Sequence, residues 1–256
     1  MVDCPNVTLG AIVMDDAADS DGIKWTPSWP IEGWETPVVR QTVMALVGAD
    51  GAAVGNSGYA QRSLVLRGTA SWGDADPALY WLAQDKLADA TDTLETPTTL
   101  IVGETTPKQA AVRRTTTPQR FAPLGSFQGM TFQIPLIARD PRKYATTLTT
   151  QDVLDNPYTN AGRYRTPPTI EVTAWTGTTL VLGSATDDGK TVTLNATSAV
   201  GPIVVDFAAQ QVTDNGVPAD EMVQAGSRWW QLLPGDNTLS FGTVTDGEVR
   251  WRSAWA

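Results

Sequence analysis

Several stretches carry residue types that could do chemistry, and in each the spacing argues against it. Residues 15–22, DDAADSDG, have the acid density of a calcium loop. Setting Gly22 on the glycine such a loop requires puts Asp19 and Asp21 well but leaves Ala17 at the first ligand position and Ser28 at the last. The stretch therefore reads as a solvated acidic loop. Gly183 to Thr191, GSATDDGKT, imitates a phosphate-binding loop, but five residues separate its glycines where four are needed. Strand-like sequence rather than a helix follows Lys190, so no helix N-terminus offers its N–H groups to phosphate. Asp187-Asp188-Gly189 reads instead as a hairpin turn. Asp206, Asp220 and Glu221 could supply the two carboxylates of a glycoside hydrolase, yet nothing in their spacing pairs them.

Composition narrows the chemistry further. The chain has no histidine, which removes the commonest general base, the usual hydrolase triads and most zinc sites. Its single cysteine, Cys4, can form no internal disulfide. A net charge of −10 makes a nucleic-acid-binding surface unexpected unless basic residues segregate strongly. Arg113 and Arg114 are too few for a phosphate site and read as a solvated strand end. Ten tryptophans are the unusual feature, and they suggest anchored β cores, sugar platforms or aromatic interfaces. The sequence indicates no cofactor and no metal.

The elements that must position these residues are mostly strands. No apolar run is long enough to cross a bilayer, and the acidic N-terminus lacks the pattern of a signal peptide, so use without Sec export is expected. TLGAIVM (8–14) reads as a first strand. Residues 23–37 hold Trp25, Trp29 and Trp34 among three prolines, a density that suits an extended arm packed on a neighbouring surface. Residues 42–47 alternate as a strand, and the glycine-rich 48–61 reads as a soft loop ordered by assembly. RSLVLRGTAS (62–71) is a strong strand. A helix over about 77–90 follows, with Asp76 as N-cap, Pro77 at its first position and an apolar face of Leu79, Leu82, Ala83, Leu87 and Ala90. Strands are expected at 98–102, 109–114 and 130–139, the last an edge or bulged strand because of Pro135.

Residues 145–168 lose periodicity, and the linker is placed at 156–165. Beyond it, strands are expected near 169–174, 179–183, 190–196, 202–207, 210–213, 229–233, 238–241 and 247–255, a pattern that fits a sandwich. Pro234-Gly235-Asp236-Asn237 reads as a tight turn. In the pair Trp229 and Trp230, strand alternation turns one ring to the core and the other outward.

The order of these segments, with the phrases "DPRKY" (140–144) and "W-x-x-L-x-P-G-x-N" (229–237), resembles the distal tail proteins of long non-contractile-tailed bacteriophages, particularly those infecting actinobacteria. The resemblance implies a mainly β chain. Its N-terminal part, about 1–155, would be a split-barrel, tail-tube-like domain with one α-helix, and its C-terminal part, 166–256, a galectin-like β-sandwich. It also implies a virion structural protein without enzymatic activity, made in the host cytoplasm and placed at the distal end of the tail. Such proteins form a homohexameric ring that joins the tail tube protein to the tip or hub protein and continues the DNA channel. Tape measure and receptor-binding proteins are further possible neighbours. DNA would only pass through, and no membrane insertion is implied. Asp50, Asn56, Tyr59, Arg113 and Arg114 are then candidate assembly contacts, and Trp29, Trp34 and Trp230 candidate aromatic contacts. A carbohydrate-binding module of the tail tip is the alternative reading, with Trp230 stacking on a sugar.

Overall fold

The computed structural model describes residues 5–45, 52–92, 96–115 and 119–256, with no side-chain detail for 41–45, 52–57 and 120. The described chain is mainly β and falls into two compact units, one reaching Lys143 (with the terminal Ala256) and the other spanning Tyr144–Trp255. That division lies upstream of the expected linker. Residues 156–165 are built into the second unit, because Tyr158–Asn160 pairs as a strand with Gly235–Asn237.

In the first unit the strands are β1 (Val7–Leu9), β2 (Ile12–Met14), β3 (Lys24–Pro27), β4 (Val39–Ala45), β5 (Ala52–Tyr59) and β6 (Arg62–Ser71). Helix α1 (Pro77–Ala90) follows, then β7 (Thr98–Val102), β8 (Lys108–Arg114), β9 (Arg120–Leu124) and β10 (Gly129–Ala138). One sheet runs β2-β1-β7-β8-β10-β6-β3, with β9 paired to β10. Its two ends approach each other: past β2, the Asp16 amide donates to the Trp25 carbonyl of β3, and Ala18 bridges Lys24. The result is a nearly closed barrel. Alternation fills it, since Leu64, Leu66 and Ala70 of β6 and Phe132, Ile134, Leu136 and Ala138 of β10 all turn inward. Pro135 is accommodated within β10 opposite Val65.

Three expectations change here. The first strand is a hairpin, β1 and β2, because Gly10 turns the chain at φ 57°. Lys24–Pro27, expected as arm, is a strand at the end of the sheet path, with Pro27 its last residue. Residues 52–59, expected as loop, form β5 and pair with β4 in a separate two-stranded sheet.

Helix α1 begins as its sequence dictates, with the Asp76 carboxylate accepting from the Ala78 amide at 2.8 Å and Pro77 next in line. Its buried residues are Tyr80, Ala83 and Leu87, with Leu79 and Ala90 packed beside them. Leu82, expected on this face, is exposed. At about 100° per residue, it lies well off the stripe centred between positions 83 and 87.

The second unit carries β11 (Lys143–Ala145, at the junction), β12 (Thr149–Asp152), β13 (Tyr158–Asn160), β14 (Thr169–Trp175), β15 (Thr179–Ser184) and β16 (Lys190–Asn195). Next come β17 (Ile203–Asp206), β18 (Gln211–Asp214), β19 (Val217–Pro218), β20 (Gly235–Asn237), β21 (Leu239–Ser240), β22 (Val244–Trp251) and β23 (Ala254–Trp255). A six-stranded sheet, β12-β22-β14-β17-β18-β19, and a three-stranded one, β16-β15-β21, share one core. Ile170, Val172, Val205 and Val249 come to that core from the first sheet, and Leu180, Leu182, Val192 and Leu194 from the second. The turns at Asp188-Gly189 and Asn215-Gly216 have both residues at positive φ, the geometry that favours these sequences in tight hairpins. Residues 229–233 make no strand, only a bridge from Leu232 to Thr166, and the expected turn at 234–237 is the strand β20.

Candidate assembly surfaces

The phrase DPRKY closes the first unit through a buried polar cluster. Arg62, 1% exposed, spreads its guanidinium over three backbone carbonyls: Nη1 donates to Gly33 and Trp34, and Nε and Nη2 both donate to Pro141. Lys143, also buried, sits with Nζ 5.2 Å from the centre of the Trp34 ring. Trp34 donates its indole N–H to Glu104, which also pairs with Lys108 and lies 3.9 Å from Lys143 Nζ. Burial alone would raise the Glu104 carboxyl, but the bonds from Lys108 and Trp34 and the charge of Lys143 hold it below the usual carboxylate range. Burial pushes the Lys143 ammonium down. The cluster pins residues 33–35 to the barrel.

The acidic loop is likewise organised from within. Asp19 accepts from the amides of Asp21 and Ile23, the Trp25 indole and the Lys86 ammonium. Burial opposes its ionisation, yet these four donors hold its pKa down to about 2. Asp187, in the imitation phosphate loop, accepts from Lys190 Nζ at 2.7 Å and from the Gln231 amide at 3.1 Å. It braces a hairpin.

The tryptophans sort by depth. Trp34 and Trp230, expected as aromatic contacts, are 0% and 1% exposed, so neither can meet a partner from the surface. Trp230 donates to the Leu182 carbonyl at 3.0 Å and lies against Phe207, with centroids 4.3 Å apart. The outward ring of the pair is Trp229, half-buried and edge-on to Phe207. Trp29 is half-buried against the barrel core. Of the assembly candidates, Asp50 lies outside the described residues, and Asn56 is placed only by its backbone in β5. Tyr59 ends β5, opposite Val39. Arg113 and Arg114 stand at the end of β8 beside Ile137 and Leu136 of β10. The structure thus gathers β4 and β5 into one ribbon and sets the arginines on the barrel sheet.

One residue the sequence reading missed stands out. Trp81 is 59% exposed, and every other tryptophan is buried or half-buried. The signal was present: position 81 lies on the polar side of an amphipathic helix, where a large aromatic has no core to fill.

The phrase W-x-x-L-x-P-G-x-N has a structural reason of its own. The buried Asn237 side chain donates to the Tyr158, Leu233 and Gly235 carbonyls and accepts from the Leu233 amide. Gly235 takes φ 86° to let that loop close.

Residues 161–255 match the family model of the siphovirus-type tail component, C-terminal domain. The crystal structure of the SPP1 Dit protein (gp 19.1) superposes with a TM-score of 0.75 at 16% identity, covering 98% of this chain and 99% of that one. The fold is Dit-like. Two structures of the phage p2 baseplate in its activated conformation, with calcium and with strontium, also match. Their TM-scores are 0.56 and 0.52, each at 10% identity, and they cover 98% and 97% of this chain and equal shares of their own. No curated protein matches. At these identities the solved structures speak for the fold, and the family model speaks for the C-terminal domain of a siphovirus tail component.

Proposed function

We propose that the chain is a non-enzymatic structural subunit of a long-tailed phage, six copies of which form a ring at the distal end of the tail. The observation that carries this reading is the match to SPP1 Dit over nearly the whole of both chains, together with the tail-component family model on residues 161–255. SPP1 Dit is described as a paradigm of the hub adsorption apparatus in phages infecting Gram-positive bacteria. On this reading the first unit forms the ring and binds the tail tube protein on one side and the tip or hub protein on the other, with tape measure and receptor-binding proteins as further neighbours. The β4–β5 ribbon, with Asn56 and Tyr59, suits a contact that neighbours complete. The sandwich hangs its surface on an independent core.

The work of such a subunit is geometric. A cyclic ring repeats one head-to-tail contact, so two different faces of each copy must match. With a net charge of −10, the lumen is expected to be acidic, since a basic lining would retain DNA by counterion release. Electron microscopy of the purified chain, alone and with its tail neighbours, tests the proposal, with labelling of virions by an antibody to the chain. Six-fold rings and label at the tail tip are expected. A monomer that binds polysaccharide, or label elsewhere on the particle, overturns it.

A further inference from the structure

Apart from Val13, the large apolar side chains that the first unit exposes fall at two places, and the charges beside them are opposite. One place is the outward face of α1. Trp81 and Leu82 stand there, and Asp85 and Asp89 follow Trp81 at intervals of four residues on the same side of the helix, all exposed. Trp81 meets Tyr80 edge-on, with ring centroids 5.1 Å apart, and Tyr80 meets Phe127 at 5.4 Å. Phe127 and Leu124, in one turn, extend the exposed apolar surface. The one lysine of the helix, Lys86, is engaged by Asp19 and Asp21, so Asp85 and Asp89 have no ion-pair partner among the described residues.

The other place is the base of the β4–β5 ribbon. The Ala60 amide donates to the Val38 carbonyl, Val39 pairs with Tyr59, and Arg40 pairs with Gly58. Alternation along this ladder sets Val38 and Arg40 on one face, across from Ala60 and Gly58, and turns Val39 to the other. Val38 is 71% exposed. Arg40 is exposed and has no ion-pair partner among the described residues. A Cβ added at Gly58 would meet nothing within 4 Å, so the space beside Arg40 is open.

We infer that the Trp81 face of α1 packs on the Val38–Arg40 face of the ribbon in a second copy of this chain. The indole lies against Val38 in the space left by Gly58, and the Arg40 guanidinium stacks on the ring and pairs with Asp85. Arginine suits both tasks, being planar, always charged and weakly hydrated. An exposed aromatic anchor beside unpaired charges is the composition of an interface centre, and the opposite charges select the ribbon as its partner. Both faces are open to solvent in the single chain, so neither covers the other. Because the two faces differ, the contact is head-to-tail, the type a cyclic ring requires. The inference rests on the ring reading and names the residues of its repeated contact.

The test is assembly of the full chain with its tail neighbours present, followed by sedimentation and electron microscopy. Trp81→Ala should weaken association by about thirtyfold, the scale of an interface hot spot, and leave the thermal melt of this exposed site unchanged. Gly58→Tyr fills the open space without straining the strand and should block rings in a chain that still folds. Asp85→Arg and Arg40→Glu should each weaken rings by setting like charges face to face. An equal mixture of these two variants should restore them, because alternating copies in an even-numbered ring meet opposite charges at every contact. Rings that form equally well in all variants, or charge variants that fail to complement, overturn this contact and leave the ring reading intact. A wild-type chain that stays monomeric overturns both.

Discussion

The indole N–H of Trp34 donates to the carboxylate of Glu104, joining residues 70 positions apart in the chain. Glu104 is the ionised centre of a cluster that also holds Lys108 and faces Lys143. Its folded pKa is depressed, so its contribution to stability is fully present above the ordinary carboxylate range and is lost as pH falls through the folded value. Glu104→Gln should therefore lower the stability of the first unit at pH 7 by about 1–3 kcal/mol. In denaturant melts the gap between wild type and variant should narrow as the pH is lowered through and below the usual carboxylate range; a gap independent of pH would mean that the charge of Glu104 contributes nothing.

Arg62→Lys tests the carbonyl clamp. A lysine keeps the charge but cannot span the Gly33, Trp34 and Pro141 oxygens, leaving buried acceptors without donors. A loss of about 2–4 kcal/mol is expected by calorimetry, with the unfolding of the sandwich unaffected.

Two glycines at similar φ should respond differently. Gly33 is at φ 81°, and a Cβ there would lie 1.9 Å from the Ser63 carbonyl oxygen, whereas Gly22, at φ 80°, has nothing within 4 Å. Gly22→Ala should cost only the left-handed backbone, about 1–2 kcal/mol. Gly33→Ala adds a backbone clash and should displace residues 31–35, read as the Trp34 ring becoming accessible to fluorescence quenchers.

In the sandwich, Trp230 and Trp251 are both buried, but the Trp230 N–H is bonded to the Leu182 carbonyl while Trp251 Nε1 has no hydrogen-bond partner. Trp230→Phe should destabilise the unit by roughly 1–2 kcal/mol more than Trp251→Phe, since only the first removes a made hydrogen bond. Paired thermal melts of the two variants decide it.

Much of this fold is legible where order is local. The alternation of residues 62–71 and 130–138, the Asp76-Pro77 start of the helix and the Asn215-Gly216 turn each carry their own instruction within a few residues. What stays hidden depends on distant partners. Trp34 looks like a surface aromatic until Glu104 and Lys143 are seen around it. Gly235–Asn237 looks like a turn until Tyr158–Asn160 is seen beside it. The aromatic contacts chosen from density of tryptophan alone proved to be core or half-buried, because a barrel and a sandwich both need large anchors. The exposed ring, Trp81, is found by asking which tryptophan has no core to enter.

The ribbon of β4 and β5 shares no ladder with the barrel among the described residues. A sheet of two strands has a rim on each side, and each rim is a row of amide and carbonyl groups facing away from its partner. Water can serve those groups, but so can the backbone of another chain, without regard to side-chain identity. A subunit built this way could keep one mode of joining while its surface sequence drifts, with the joint written in peptide groups that every residue carries.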